Sequence, residues 1–164
     1  MRHELGDAYS FAELETMARE EEKNAPGDWA IDLNLPRFFA PQSMISEIKD
    51  EYKSRGKKIP ESPEELAFAV YTSLAQCYKT AILDLEKITG KKYPSISIIG
   101  GGSKDAYLNT LTAGYTGKTV YAGPAEATAA GNILLQMQAA GDPAVKNGFA
   151  ELVKSSFDIR EYTG

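Results

Sequence analysis

The chain has 164 residues and a net charge of -5, with 43% hydrophobic and 25% charged residues, which fits one soluble domain with a real core. No basic block interleaves with aromatics, which argues against nucleic acid, and no apolar run reaches membrane-spanning length. The single cysteine, Cys77, excludes an internal disulfide, and the polar start from Met1 to Asp7 lacks a signal peptide's apolar stretch, so the expected compartment is the cytoplasm.

The first half reads as helices joined by irregular chain. Ser10 and Glu13 form a capping box, and Leu14, Met17 and Ala18 follow on one helical face. The charged run Arg19 to Lys23 closes this helix before Pro26 and Gly27. Residues 28–41 are expected to be extended or irregular, because Pro36 and Pro41 prevent regular helix. Trp29, Ile31 and Leu33 alternate there and place one side on a core. Ser43 opens a second helix with Ile45, Ile48 and Tyr52 facing inward, and Gly56 closes it.

The third helix carries the strongest pattern. Ser62 caps it, Pro63 suits the first helical position, and Glu65 completes a capping box. Leu66, Val70, Leu74, Cys77, Ala81, Leu85 and Ile88 recur every three or four residues, and Phe68, Tyr71, Ala75, Tyr78 and Ile82 form a second row. Two adjacent stripes predict a helix packed deeply along its length, with Cys77 buried among apolar neighbours. Gly90 ends it.

The second half alternates strand and helix. A strand at Ile96 leads into Gly100-Gly101-Gly102-Ser103, and a helix follows to about Gly114. A second strand at Thr119-Val120-Tyr121 leads through Gly123-Pro124 into a helix from Ala125 to Ala139. The small residues Ala127, Ala130 and Gly131 predict that another element approaches its backbone closely. Asp142-Pro143 starts a last helix with Val145, Phe149, Leu152 and Val153 inside, and 156–162 supplies a final edge strand. This order predicts an α/β fold with a parallel strand pair and a right-handed crossover. So little sheet is too small for an independent α/β domain, which points to part of something larger.

The glycine turn is the place where the sequence suggests a ligand. A strand, a glycine turn and a helix start aim backbone amides at one point, and a phosphate or nucleotide sugar is the usual occupant. The turn is not a phosphate loop, since no Lys-Ser or Lys-Thr pair follows at the required spacing. It is not a full dinucleotide fingerprint either, because Asp105 stands at the third glycine position. A tight turn that simply needs positive φ explains the same residues. His3, near a terminus, cannot make a metal site by itself. Glu20, Glu21 and Glu22 run consecutively around a helix and read as solvated surface.

Several blocks together resemble the FGGY carbohydrate kinases. They are Ile98 to Ser103, Leu108-Asn109, Leu111 to Ala113, Gly117 to Val120, and Ala122-Gly123-Pro124-Ala125-Glu126-Ala127-Thr128-Ala129-Ala130-Gly131-Asn132. Pro36-Arg37-Phe38, Pro41 and Met44 resemble that family's intervening region. The resemblance runs from about Tyr9 to the end, and the Gly123 to Asn132 block resembles the rhamnulose-phosphorylating branch.

The resemblance implies one domain, residues 1–164, that is part of an actin-like (ribonuclease H-like) ATPase domain, helix-rich with a small partly parallel sheet. It implies a transferase of rhamnose catabolism that converts ATP and L-rhamnulose into ADP and L-rhamnulose 1-phosphate. It makes Gly101, Gly102 and Ser103 the nucleotide-contacting positions, with Asp105 a neighbour and Glu126, Thr128 and Asn132 in support. It implies ATP and Mg²⁺ as cofactors, with no Mg²⁺ ligand matched here. The catalytic aspartate, the sugar site and the phosphate-binding threonine loop belong to regions this chain does not match. The expectation is therefore a chain without catalytic residues, inactive alone, whose partner is an N-terminal kinase domain and which self-associates through surfaces that domain would cover. A non-catalytic nucleotide-binding module and a structural or assembly module are the alternatives.

Overall fold

The structure, a computed structural model, describes residues 3–25, 27–146 and 148–164, so the break expected at Pro26 lies outside the described residues. The chain divides into two compact units, Met1–Thr89 and Gly90–Gly164.

The first unit is helical. Helix α1 (Phe11–Glu22) starts with the predicted box: Ser10 Oγ accepts from the Glu13 N–H at 3.2 Å, and the Ser10 N–H donates to Glu13 Oε2 at 2.7 Å. Helix α2 spans Met44–Ser54 and α3 spans Pro63–Thr89. Leu14 and Ala18 are buried where α1 packs along α3. Trp29 sits in an aromatic cluster, its ring 6.1 Å from Tyr52 and 6.0 Å from Phe68, and the Tyr52 hydroxyl donates to the Trp29 carbonyl. The Ile31 N–H donates to Ser73 Oγ at 3.0 Å, which explains a hydroxyl buried on α3. Burial pushes the Glu51 carboxyl up, but hydrogen bonds from Arg55 and Arg37 outweigh it and hold the group below its ordinary value.

The start of α3 is as expected, but its packing along its length needs correction. Ser62 Oγ accepts from the Glu65 N–H at 3.2 Å, and the Glu65 carboxylate accepts from the Ser62 backbone, as a capping box requires, and also from the Glu61 N–H at 2.8 Å. The deep apolar packing holds from Leu66 to Ala75; further on Glu86 is buried, but Leu83, Leu85 and Ile88 are exposed and Cys77 is half-buried. The reason is length. A 12-residue α1 is about 18 Å long and a 27-residue α3 about 40 Å, so α1 covers less than half of it.

The second unit holds a three-stranded sheet in the order β1-β2-β3. Strands β1 (Ser95–Ile98) and β2 (Thr119–Ala122) pair in parallel, with Ser95 opposite Thr119 and Ile98 opposite Ala122. Helix α4 (Ala106–Thr116) makes the crossover. Strand β3 (Arg160–Tyr162) pairs antiparallel with β2 as the expected edge strand, with Arg160 opposite Ala122. Val120 and Ala122 of the central strand are buried, as are Tyr107, Leu108, Leu111 and Ala113 of α4.

Beyond β2 the packing thins. Helix α5 (Ala127–Ala139) buries only Ala130 and Leu134. The close approach expected at Gly131 is not there; a Cβ on it would meet no described atom within 4 Å. The expected last helix is two elements, a 3-10 turn at Pro143–Val145 and α6 (Phe149–Ser156), separated at Gly148 with φ +94°. Val145, Phe149, Leu152 and Val153 are half-buried, not inside.

Candidate functional site

Parallel pairing sets the C-terminal ends of β1 and β2 side by side, where ligands of such sheets bind. Two backbone bonds join the loops that leave them. The Gly123 N–H donates to the Ile98 carbonyl at 2.8 Å, and the Gly100 N–H donates to the Pro124 carbonyl at 3.1 Å. Gly100 has φ +75°, so the turn itself demands glycine there.

The next two glycines have a different status. Gly101 and Gly102 are exposed, and neither has positive φ. A Cβ on Gly101 would meet no described atom within 4 Å, and one on Gly102 would make ordinary contact with Ile98 at 3.7 Å. Neither strain nor this chain's own packing asks for glycine at these two positions. Residues 100–104 form a 3-10 turn, whose first two amides have no acceptor in their own ladder. The Gly100 amide is taken by Pro124, which leaves Gly101's as the donor the turn does not consume.

Ser103 is buried beneath the turn, and its hydroxyl donates to the Gly100 carbonyl at 2.7 Å. Asp105 caps α4 by accepting from the Leu108 N–H at 2.9 Å. Asn109 was not singled out from sequence as a site residue. It is fully buried, and its Nδ2 donates to the Ser103 carbonyl at 3.2 Å, holding the turn from behind. Its Oδ1 is buried without a hydrogen-bond partner. The available signal was an amide four residues after Asp105 on an otherwise apolar helix face.

A cavity of about 230 Å³ opens beside the turn, lined by Ser103, Lys104, Ala122, Gly123, Ala125, Asp158 and Arg160. Of the residues picked from sequence, Ser103 alone lines it. Gly101, Gly102 and Asp105 lie on the same turn or at its end. Glu126, Thr128 and Asn132 are exposed at the start of α5 and along it and are not among the lining residues. Glu126 occupies the cap position of α5, but its side chain makes no capping bond. Arg160 escaped the sequence because only the β2–β3 register brings it here, whereas Lys104 lies on the turn itself and was passed over beside the glycines.

The open backbone at Gly101 leaves room for a nucleotide's close approach. The described residues contain no group of three or more His, Cys, Asp or Glu that could hold a metal ion. Asp105 and Asp158, the carboxylates nearest the turn, are engaged in a helix cap and an ion pair. An all-protein metal cage is therefore not found among the described residues. Among the described residues no helix is long and apolar enough to cross a membrane.

Residues 2–140 match the C-terminal domain of the FGGY family of carbohydrate kinases, and the chain belongs to that family, whose fold is that of the actin-like ATPases. Over 99% of its length it is 43% identical to the rhamnulokinase of Ligilactobacillus salivarius and 42% identical to that of Bacillus subtilis. It is 31% identical to the rhamnulokinase of Mannheimia succiniciproducens over 92% of its length. The chain spans about a third of the length of these relatives, 33%, 33% and 31% respectively.

Proposed function

We propose that this chain forms one wall of the ATP site of a rhamnulokinase-type sugar kinase of rhamnose catabolism, acting in the cytoplasm. In this reading the turn at 100–103 lies against the adenosine and α-phosphate of ATP. The observation that carries it is the exposed, unobstructed backbone at Gly101 and Gly102, at the C-terminal ends of two parallel strands. Asp105 then serves the α4 N-terminus or a ribose hydroxyl, and Glu126, Thr128 and Asn132 support from α5. The match to one family domain runs through both compact units, which supports treating residues 1–164 as one domain.

Phosphoryl transfer works by positioning two substrates and stabilising charge on the transferred group. One wall of a cleft cannot position both, so the chain alone is expected to phosphorylate nothing. Its partner is the kinase region that the longer relatives carry. Self-association is the expected behaviour without it: β1 has a strand neighbour on one side, and Ile99 next to it is 59% exposed.

Thermal unfolding with ATP tests the site. A ligand that binds only the folded state stabilises it by about 2.7 kcal/mol at a hundredfold excess over its dissociation constant. The melting temperature is expected to rise with millimolar ATP, and an unchanged value would end the ATP-wall proposal. A coupled ADP-release assay with L-rhamnulose, ATP and Mg²⁺ is expected to show no turnover; turnover would overturn the claim of inactivity. Light scattering on a sizing column is expected to give a dimer or larger, and a monodisperse monomer would refute self-association.

A further inference from the structure

We propose that Lys104 and Arg160 form an anion subsite that holds phosphate charge of the nucleotide in the cavity beside Ser103. This rests on the nucleotide proposal above and assigns two residues that it does not contain.

The sheet register is the first support. Arg160 pairs opposite Ala122, the last residue of β2, so an antiparallel strand returns a cation to the end of the sheet where the glycine turn sits. Gly123 is the second. A Cβ there would lie 2.9 Å from the Asp158 carbonyl oxygen and 3.1 Å from Ile159 Cδ1. The glycine thus lets 158–159 close onto the end of β2. Arg160 is therefore set by backbone pairing and a close fit.

Charge is the third. The lining contains Lys104, Arg160 and Asp158, a net of +1, in a chain whose net charge is -5. Arg160 Nε donates to Asp158 Oδ2 at 3.3 Å, with side chains 61% and 79% exposed. Exposed pairs of this kind contribute little stability, so the pair does not account for the arginine as a structural element. A guanidinium has five N–H donors. Asp158 uses one and the Tyr162 hydroxyl is its other polar neighbour, which leaves donors for a phosphate oxygen. Asp158 then orients the planar fork, and bidentate contact to phosphate is the use that fork suits best.

The test measures binding of ATP, AMP and adenosine to the full chain by titration calorimetry, comparing the parent with Arg160→Met and Lys104→Met. Methionine keeps the apolar stem and removes the charge. Each variant is expected to weaken ATP about tenfold, the scale of one lost charge-assisted contact. Adenosine affinity and the melting temperature without ligand should not change, ATP binding should respond less to added salt, and Arg160→Lys should recover part of the loss. If both methionine variants bind ATP like the parent, the subsite is wrong and the ATP wall stands. Equal weakening of ATP and adenosine means a structural role and also overturns it. If the parent binds none of the three ligands, the nucleotide proposal fails and the subsite with it.

Discussion

Helices α4 and α5 both leave the C-terminal end of a parallel strand, yet the chain treats them differently. Eleven-residue α4 buries Tyr107, Leu108, Asn109, Leu111, Thr112 and Ala113, and Asp105 caps it. Thirteen-residue α5 buries two side chains, and Glu126 at its start makes no capping bond. Ile133 and Leu135 of α5 are each 57% exposed, although its mean composition is apolar. α4 is held by contacts within the chain, whereas α5 keeps an apolar surface that those contacts leave uncovered. An apolar helix need not be a buried one in a chain that spans a third of its relatives.

This contrast can be broken most directly at Tyr107. It is 1% exposed, and Tyr107→Ala is expected to cost about 3–5 kcal/mol, as large aromatic truncations do. Urea unfolding followed by circular dichroism measures it. On α5, Leu134→Ala should sit at the lower end of leucine truncations, about 2 kcal/mol, because Ile133 and Leu135 beside it already face solvent. If its cost matched that of Tyr107→Ala, α5 would be as firmly packed as α4 and the contrast would fail.

The caps sharpen the comparison on a smaller scale. Asp105→Ala removes the bond to the Leu108 N–H and should cost about 1 kcal/mol, while Glu126→Ala should stay within about 0.5 kcal/mol. Equal losses in the same urea experiment would show that Glu126 caps α5 after all. Helix α2 supplies the third case, because a distant residue caps it as well. Glu4 accepts from Ser43 Oγ at 2.6 Å, from the Met44 N–H at 3.0 Å and from the Ile45 N–H at 3.2 Å. The Ser43 hydroxyl is the largest cause; burial opposes it, and with the Ile45 and Met44 amides added the balance lowers the Glu4 carboxyl from 4.5 to about 2. A depressed carboxylate stabilises fully above its unfolded value and loses that contribution as pH falls. The effect is therefore present above about pH 4.5 and disappears towards pH 2. Glu4→Gln should shrink the drop in melting temperature across that window, the smallest change expected here, and an unaltered acid limb would remove Glu4 from the cap.

Local signals were legible where local chemistry decides the outcome. Ser10 with Glu13, Ser43, Ser62 and the strand at Ile96 all mark real elements, since caps and strand–turn punctuation act over a few residues. The predicted mixed sheet followed from segment order and connection handedness. Long-range coverage was not legible. Periodicity along α3 shows which side is apolar, but only the length of α1 reveals how far that side is covered. The small residues of α5 permit a close approach without supplying a neighbour, as Gly131 shows. At the site, Gly101, Gly102 and Ser103 stand out in a linear reading. Arg160 enters only through strand pairing, and Asn109 through burial of an amide among apolar residues.

The reciprocal bonds between Gly123 and Ile98 and between Gly100 and Pro124 rivet the two loops into a single plate made of main chain. Side-chain changes that keep the backbone path therefore leave both bonds in place, a replaced Gly100 or Gly123 strains that path, and an inserted residue that slides one strand end past the other removes the bonds.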